Sequence, residues 1–206
     1  MKNFRLIVLS FLWAFCVPLA QAAATDRVST QFTPDDRVEG PDFEMSTETA
    51  YLLGWIGNPN SYEVGAQFIT ARWRIPPSFR EGWLRGYNQF YVLGMAEPIF
   101  RGPENYYFGI SVGMRYVFVQ PGSPFSFYLS SGVGLGWIDS HADQAGAQGQ
   151  DFTFNILSAA GVSYKMSERW QITAGVLYQH LSNGGQTDPN SSLNLLGPQI
   201  GVTYSY

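Results

Sequence analysis

Hydrophobic and polar residues alternate with a period of two along most of this chain. From Tyr106 to Val119 the even positions are Tyr106, Phe108, Ile110, Val112, Met114, Tyr116 and Phe118, whereas the odd ones include Gly109, Ser111, Gly113 and Arg115. Successive side chains of an extended strand point to opposite faces, so this pattern predicts a strand with one apolar and one polar side. The next two segments repeat it. Phe125, Phe127, Leu129, Val133, Leu135 and Trp137 alternate with Ser126, Ser130, Gly132, Gly134 and Gly136. Phe152, Phe154, Ile156, Val162, Tyr164 and Met166 alternate with Thr153, Asn155, Gly161, Ser163 and Lys165. Extended over the chain, the pattern predicts strands at 46–55, 62–75, 87–100, 105–119, 125–139, 151–166, 170–182 and 192–206. Arg72, Trp73 and Arg74 blur the alternation in the second.

These runs exceed the roughly 5 to 6 residues of an ordinary globular strand and match the roughly 10-residue alternating segments of transmembrane β-barrels. Eight is an even number, as bacterial barrels require. The chain closes on Ile200, Val202, Tyr204 and Tyr206, all on one face. An alternating last strand ending on an aromatic residue resembles the terminal strand of bacterial outer-membrane proteins. The predicted fold is therefore all-β, an eight-stranded antiparallel transmembrane β-barrel over 46–206, with the Gly, Ser, Asn, Arg and Lys face forming a polar interior. Eight strands leave an interior just wide enough for their own side chains, which argues against a diffusion pore. The tight connections at 120–124 and 167–168 belong on the periplasmic side, leaving those around 101–104, 140–150 and 183–191 on the extracellular side.

Two stretches lie outside this pattern. Lys2 and Arg5 lead into the apolar run Leu6 to Ala20, and Ala20-Gln21-Ala22 offers a small-x-small cleavage site. That plan predicts a signal peptide over 1–22. Residues 23–45 are polar, acidic and aperiodic, and read as a flexible periplasmic leader.

Composition sharpens the picture. Only 14% of the 206 residues are charged, below the roughly 25% of soluble domains. With a net charge of -4 and no Lys/Arg cluster, nucleic acid is not an expected partner. The single cysteine, Cys16, falls in the signal segment. The mature chain is thus expected to lack disulfides and thiol chemistry. Removing Lys2 and Arg5 leaves 10 basic and 16 acidic residues, a net charge of -6.

Against an apolar wall, one constellation is exceptional. The outward set of the seventh strand runs Ile172, Ala174, Val176, Tyr178 and then continues to His180 and Ser182. In the last strand Asn194 shares the outward parity of Ile200 to Tyr206. A hairpin whose paired residue numbers sum to about 374 sets His180 opposite Asn194 and Ser182 opposite Ser192, within roughly 4.5 to 5.5 Å. Polar groups facing lipid are costly unless they find partners. A catalytic pair answers that cost; placement at headgroup height, where polarity is cheap, answers it equally.

The run His180-x-Ser182-Asn183-Gly184-Gly185, then Pro189-Asn190, then a polar residue fourteen beyond the histidine, resembles the C-terminal signature of the lipid A 3-O-deacylase (acyloxyacyl hydrolase) family. The specific likeness covers about the last 30 residues. It implies an outer-membrane serine esterase of a Gram-negative bacterium, acting on lipid A of lipopolysaccharide in the outer leaflet. By that resemblance Ser182 is the nucleophile and His180 its general base, with Asn194 at the position of the acid. The Asn183 side chain and the Gly185 N–H would stabilise the oxyanion. The family's triad carries Glu where this chain has Asn194, whose amide can orient the imidazole but supplies no charge; Asp188 is a substitute acid to consider. No cofactor or metal is implied, and a homodimer is left open.

The competing reading is a non-catalytic barrel that binds lipopolysaccharide or presents its loops as an adhesin. Two weaker candidates remain: His141 with Asp139 and Asp143 for a divalent cation, and Arg72, Arg74, Arg101 and Arg115 for phosphates, Arg115 having inward parity.

Overall fold

The computed structural model describes residues 38, 40–54, 62–79 and 82–206. The signal segment and residues 23–37 lie outside the described residues. Eight strands follow in chain order: β1 Phe43–Gly54, β2 Tyr62–Phe79, β3 Gly86–Arg101, β4 Tyr106–Val119, β5 Phe125–Ile138, β6 Phe152–Lys165, β7 Trp170–Ser182 and β8 Leu193–Ser205. Each pairs antiparallel with its chain neighbour, and β1 pairs with β8 to close the barrel. Closure removes the sheet edges, so the strands' backbone donors and acceptors find partners within the wall.

The alternation is realised as expected. In β4 the even residues Phe108, Ile110, Val112 and Met114 are exposed on the outer wall, while Tyr107, Ser111 and Arg115 are buried inside. In β2 the blurred segment keeps strict parity, because Trp73 faces out and Arg72 is buried inside. There Arg72 pairs with Glu48 and donates to Ser46 Oγ at 2.8 Å.

Two expectations are corrected. The first strand begins at Phe43, so residues 43–45 belong to the barrel and not to the leader. Glu44 falls in the stretch read as leader, yet it is buried in the lumen, as is Glu48: Gln89 donates to Glu44 at 2.6 Å and Gln199 to Glu48 at 2.7 Å. Val38 is buried as well, packed in a cluster with Tyr87, and its carbonyl accepts from Arg74 at 2.7 Å.

The second correction concerns the interior, which is not uniformly polar. Near the end where the chain makes its short turns lies a belt of Glu44, Glu48, Arg72, Gln89, Arg115 and Gln199. Arg115 adds a cation–π contact, 3.7 Å above the Tyr128 ring. Toward the long loops the lumen is mixed: Leu52, Phe68, Leu93, Leu181 and Leu195 pack beside buried Glu97, Gln179 and Asn155, with Gln179 donating to Glu97 at 3.0 Å. Inward positions in a barrel this narrow touch one another and not water, so aliphatic side chains fit there as well as polar ones. An internal void of about 30 Å³ between the two tiers has room for roughly one or two waters. Function is thereby directed to the outer wall and the loops.

Candidate active site on the outer wall

The site is built on β7 and β8 where they approach the long-loop end. Inward residues Leu177, Gln179 and Leu181 are buried, which leaves Tyr178, His180 and Ser182 half-buried on the outer face. The β7–β8 register sets His180 opposite Asn194. His180 Nδ1 donates to Asn194 Oδ1 at 2.8 Å. The same oxygen accepts the Tyr178 hydroxyl at 2.7 Å. With its proton on Nδ1, the neutral imidazole keeps a lone pair on Nε2, the form a general base requires.

Ser182 lies two residues beyond His180 on the same face, a rise of roughly 6.6 Å along the strand. Among the described residues no hydrogen bond joins Ser182 to His180. Catalytic hydrogen bonds are often long before substrate binds, so this spacing does not exclude the pair. The ladder partner of Ser182 is Phe154 of β6, not Ser192. Pairing of β7 with β8 stops at Leu181–Leu193, because the Asn183 N–H turns away to Asn190 Oδ1 at 3.1 Å. Ser192 therefore sits in the loop. Phe154, Phe152 and Trp137 form an edge-to-face row beside Ser182, with centroids 5.3 and 5.4 Å apart. An ester of a long acyl chain would meet apolar surface at this point.

The two expected oxyanion donors are placed differently from the expectation. Asn183 is fully buried, one residue out of phase with Ser182, and its Nδ2 donates to the carbonyls of Thr187 at 2.7 Å and Pro189 at 3.3 Å. The Gly185 N–H donates to Asn183 Oδ1 at 2.9 Å. Both groups hold the loop in shape here. Gly184 and Gly185 have φ of +67° and +73°, a left-handed conformation that glycine adopts without strain. The β5–β6 loop braces this turn through Gly149 N–H to Pro189 O at 2.7 Å and Gln150 Nε2 to Gln186 Oε1 at 2.9 Å.

The weaker candidates resolve into structure. Asp139 accepts the N–H groups of Asn105 and Tyr106 at 2.8 and 2.9 Å and stands 3.6 Å from His141 Nε2. Among the described residues no group of three His, Cys, Asp or Glu side chains could hold a metal ion. Arg74 bonds the carbonyls of Val38 and Gly40, and Arg101 pairs with Glu63 at 3.0 Å. Asp188 makes no bond to His180. Tyr178 was missed in sequence, although its parity two residues before His180 was legible. Phe154 carries no local signal, since only the β6–β7 register brings it to Ser182.

Comparison with known proteins identifies the family and the fold. The profile of the family described as lipid A 3-O-deacylase (PagL) matches residues 60–203. No curated relative matches the chain. Among solved structures, Neisserial surface protein A (NspA) superposes with a TM-score of 0.60 at 18% identity, covering 82% of this chain and 100% of that one. The outer membrane enzyme PagL superposes with a TM-score of 0.55 at 15% identity, covering 77% of this chain and 97% of that one. At these identities the structures speak for the fold alone: an outer-membrane barrel. The family match spans well over half of the sequence, including all of β7 and nearly all of β8, and the chain belongs to the lipid A 3-O-deacylase family of outer-membrane β-barrels.

Proposed function

We propose that this barrel is a lipid A deacylase, a serine esterase that removes an ester-linked acyl chain from lipopolysaccharide in the outer leaflet. The observation that carries this reading is the His180–Asn194 hydrogen bond on the lipid-facing wall. Polar residues on a lipid-facing wall stay costly even when they bond one another, so their presence points to a task, and substrate held in the leaflet reaches them laterally. Ser182 Oγ attacks the ester carbonyl carbon while His180 Nε2 takes its proton. The tetrahedral intermediate then collapses, the ester C–O bond breaks, and the imidazolium returns the proton to the departing sugar oxygen. Water repeats the two steps on the acyl-serine and releases the fatty acid. For Asn183 Nδ2 and the Gly185 N–H to serve as oxyanion donors, they exchange their present loop bonds for bonds to substrate.

A second reading, a non-catalytic barrel, is favoured by one observation: the position of the family's acid holds an amide. One experiment separates the two. Expression of the wild type in a Gram-negative host should remove one acyl mass from lipid A, read by mass spectrometry. Ser182→Ala or His180→Ala should abolish the loss while the barrel still shows the heat-dependent gel migration of a folded outer-membrane protein. Lipid A left intact by folded wild-type protein would overturn the enzyme reading in favour of the second.

A further inference from the structure

We propose that Tyr178 is a positioning residue that fixes the orientation of the Asn194 amide, and through it the tautomer of His180. The inference rests on the reading of His180 as the base. The two ends of an Asn amide are nearly alike in shape and opposite in hydrogen-bonding role. With Oδ1 toward the ring, as here, Nδ1 must donate, and the lone pair falls on Nε2. With Nδ2 toward the ring, Nδ1 must accept, the proton moves to Nε2, and His180 can no longer take a proton from Ser182. A carboxylate presents oxygen either way, so an enzyme with Glu at this position has no such ambiguity.

Tyr178 removes it. Its hydroxyl lies 2.7 Å from Asn194 Oδ1, the atom that also accepts His180 Nδ1 at 2.8 Å. If the amide turned over, the phenol oxygen would have to accept from Nδ2, a role for which its ring-conjugated lone pair is poorly suited. The phenol proton would then lose the acceptor it has among the described residues, on a wall that faces lipid, where an unmade hydrogen bond is expensive. Strand geometry supplies the contact. Tyr178 stands opposite Leu196, one outward position along β8 from Asn194, so its long side chain reaches Asn194 on the diagonal.

The test combines tautomer and turnover. The chain has two histidines, so His141→Asn leaves His180 as the one imidazole for isotope labelling and nitrogen NMR in detergent micelles. The proton should reside on Nδ1 in the otherwise unchanged chain. Tyr178→Phe, which keeps the ring, should shift the population toward the Nε2–H tautomer. In deacylation assays the same variant should lower kcat about tenfold, the size of one uncharged hydrogen bond, with KM unchanged. In an Asn194→Glu background Tyr178→Phe should alter neither readout. A tautomer that ignores Tyr178→Phe, or an equal loss of kcat in the Glu background, would overturn the proposal. A tautomer that responds in a chain without deacylase activity would support the positioning role and overturn the enzyme reading instead.

Discussion

By the resemblance read in the sequence, Asn194 takes the position of the family's acid, and its surroundings show what an amide can and cannot replace. It accepts two hydrogen bonds on one oxygen, so it orients the imidazole as a carboxylate would. In the proposed reaction it contributes no charge to stabilise the imidazolium formed as Ser182 is deprotonated. In a serine protease the corresponding Asp-to-Asn change lowers kcat by about 10⁴, partly through the wrong tautomer. Tyr178 addresses the tautomer and leaves the charge deficit. Asn194→Glu should accordingly raise kcat by at least roughly tenfold, measured as fatty acid released per barrel per unit time. A value equal to wild type would show that the charge at this position does not reach the reaction.

At the scale of elements, the site depends on a hairpin whose turn is held by its neighbour. The β5–β6 loop is itself braced: Asp151 accepts the Ser140 hydroxyl at 2.6 Å and the Ser140 N–H at 3.0 Å. The Ser140 hydroxyl, and then its N–H, hold the Asp151 carboxyl below its usual range. A group depressed in the folded state stabilises above its unfolded pKa, and that contribution is lost as pH falls through the folded value. Loop protection, followed by hydrogen exchange at the amides of 140–150, should therefore be intact at neutral pH and decline only below the ordinary carboxylate range. Asp151→Asn should abolish that dependence. Strand positions were legible in the sequence to within a few residues, because alternation is a local signal. The start of β1 was not, since Glu44 reads as leader until Gln89 meets it inside the lumen.

For the whole molecule, the lower lumen holds a buried ion pair that ties β1 to β2. Glu48 and Arg72 come from adjacent strands, and both are buried. Glu48→Gln removes the carboxylate that Arg72 pairs with and leaves it only the more distant Glu44, so it should cost roughly 3 kcal/mol in urea unfolding from detergent micelles. Replacing both, Glu48→Leu with Arg72→Met, should recover most of that loss, because an apolar pair avoids the desolvation penalty. Equal destabilisation by the single and double variants would show that the pair contributes more than its own neutralisation. Neither change touches the outer wall, so deacylation per folded barrel should stay at the wild-type level.

The period-two pattern settled the strand positions and set His180 and Ser182 on the face of Ile172 and Val176, and Asn194 on that of Ile200 and Val202, because side-chain direction in a strand depends only on residue parity. The family resemblance was likewise carried by a contiguous run. Tertiary structure decided what parity cannot encode: the bond of His180 to Asn194, the Tyr178 hydroxyl on the same oxygen, the retention of Asn183 and Gly185 inside their loop, and the aromatic row beside Ser182. These depend on the register between strands far apart in sequence and on how one loop braces another. Each is a contest between alternative hydrogen-bond partners, decided only when the barrel closes and brings those partners within reach.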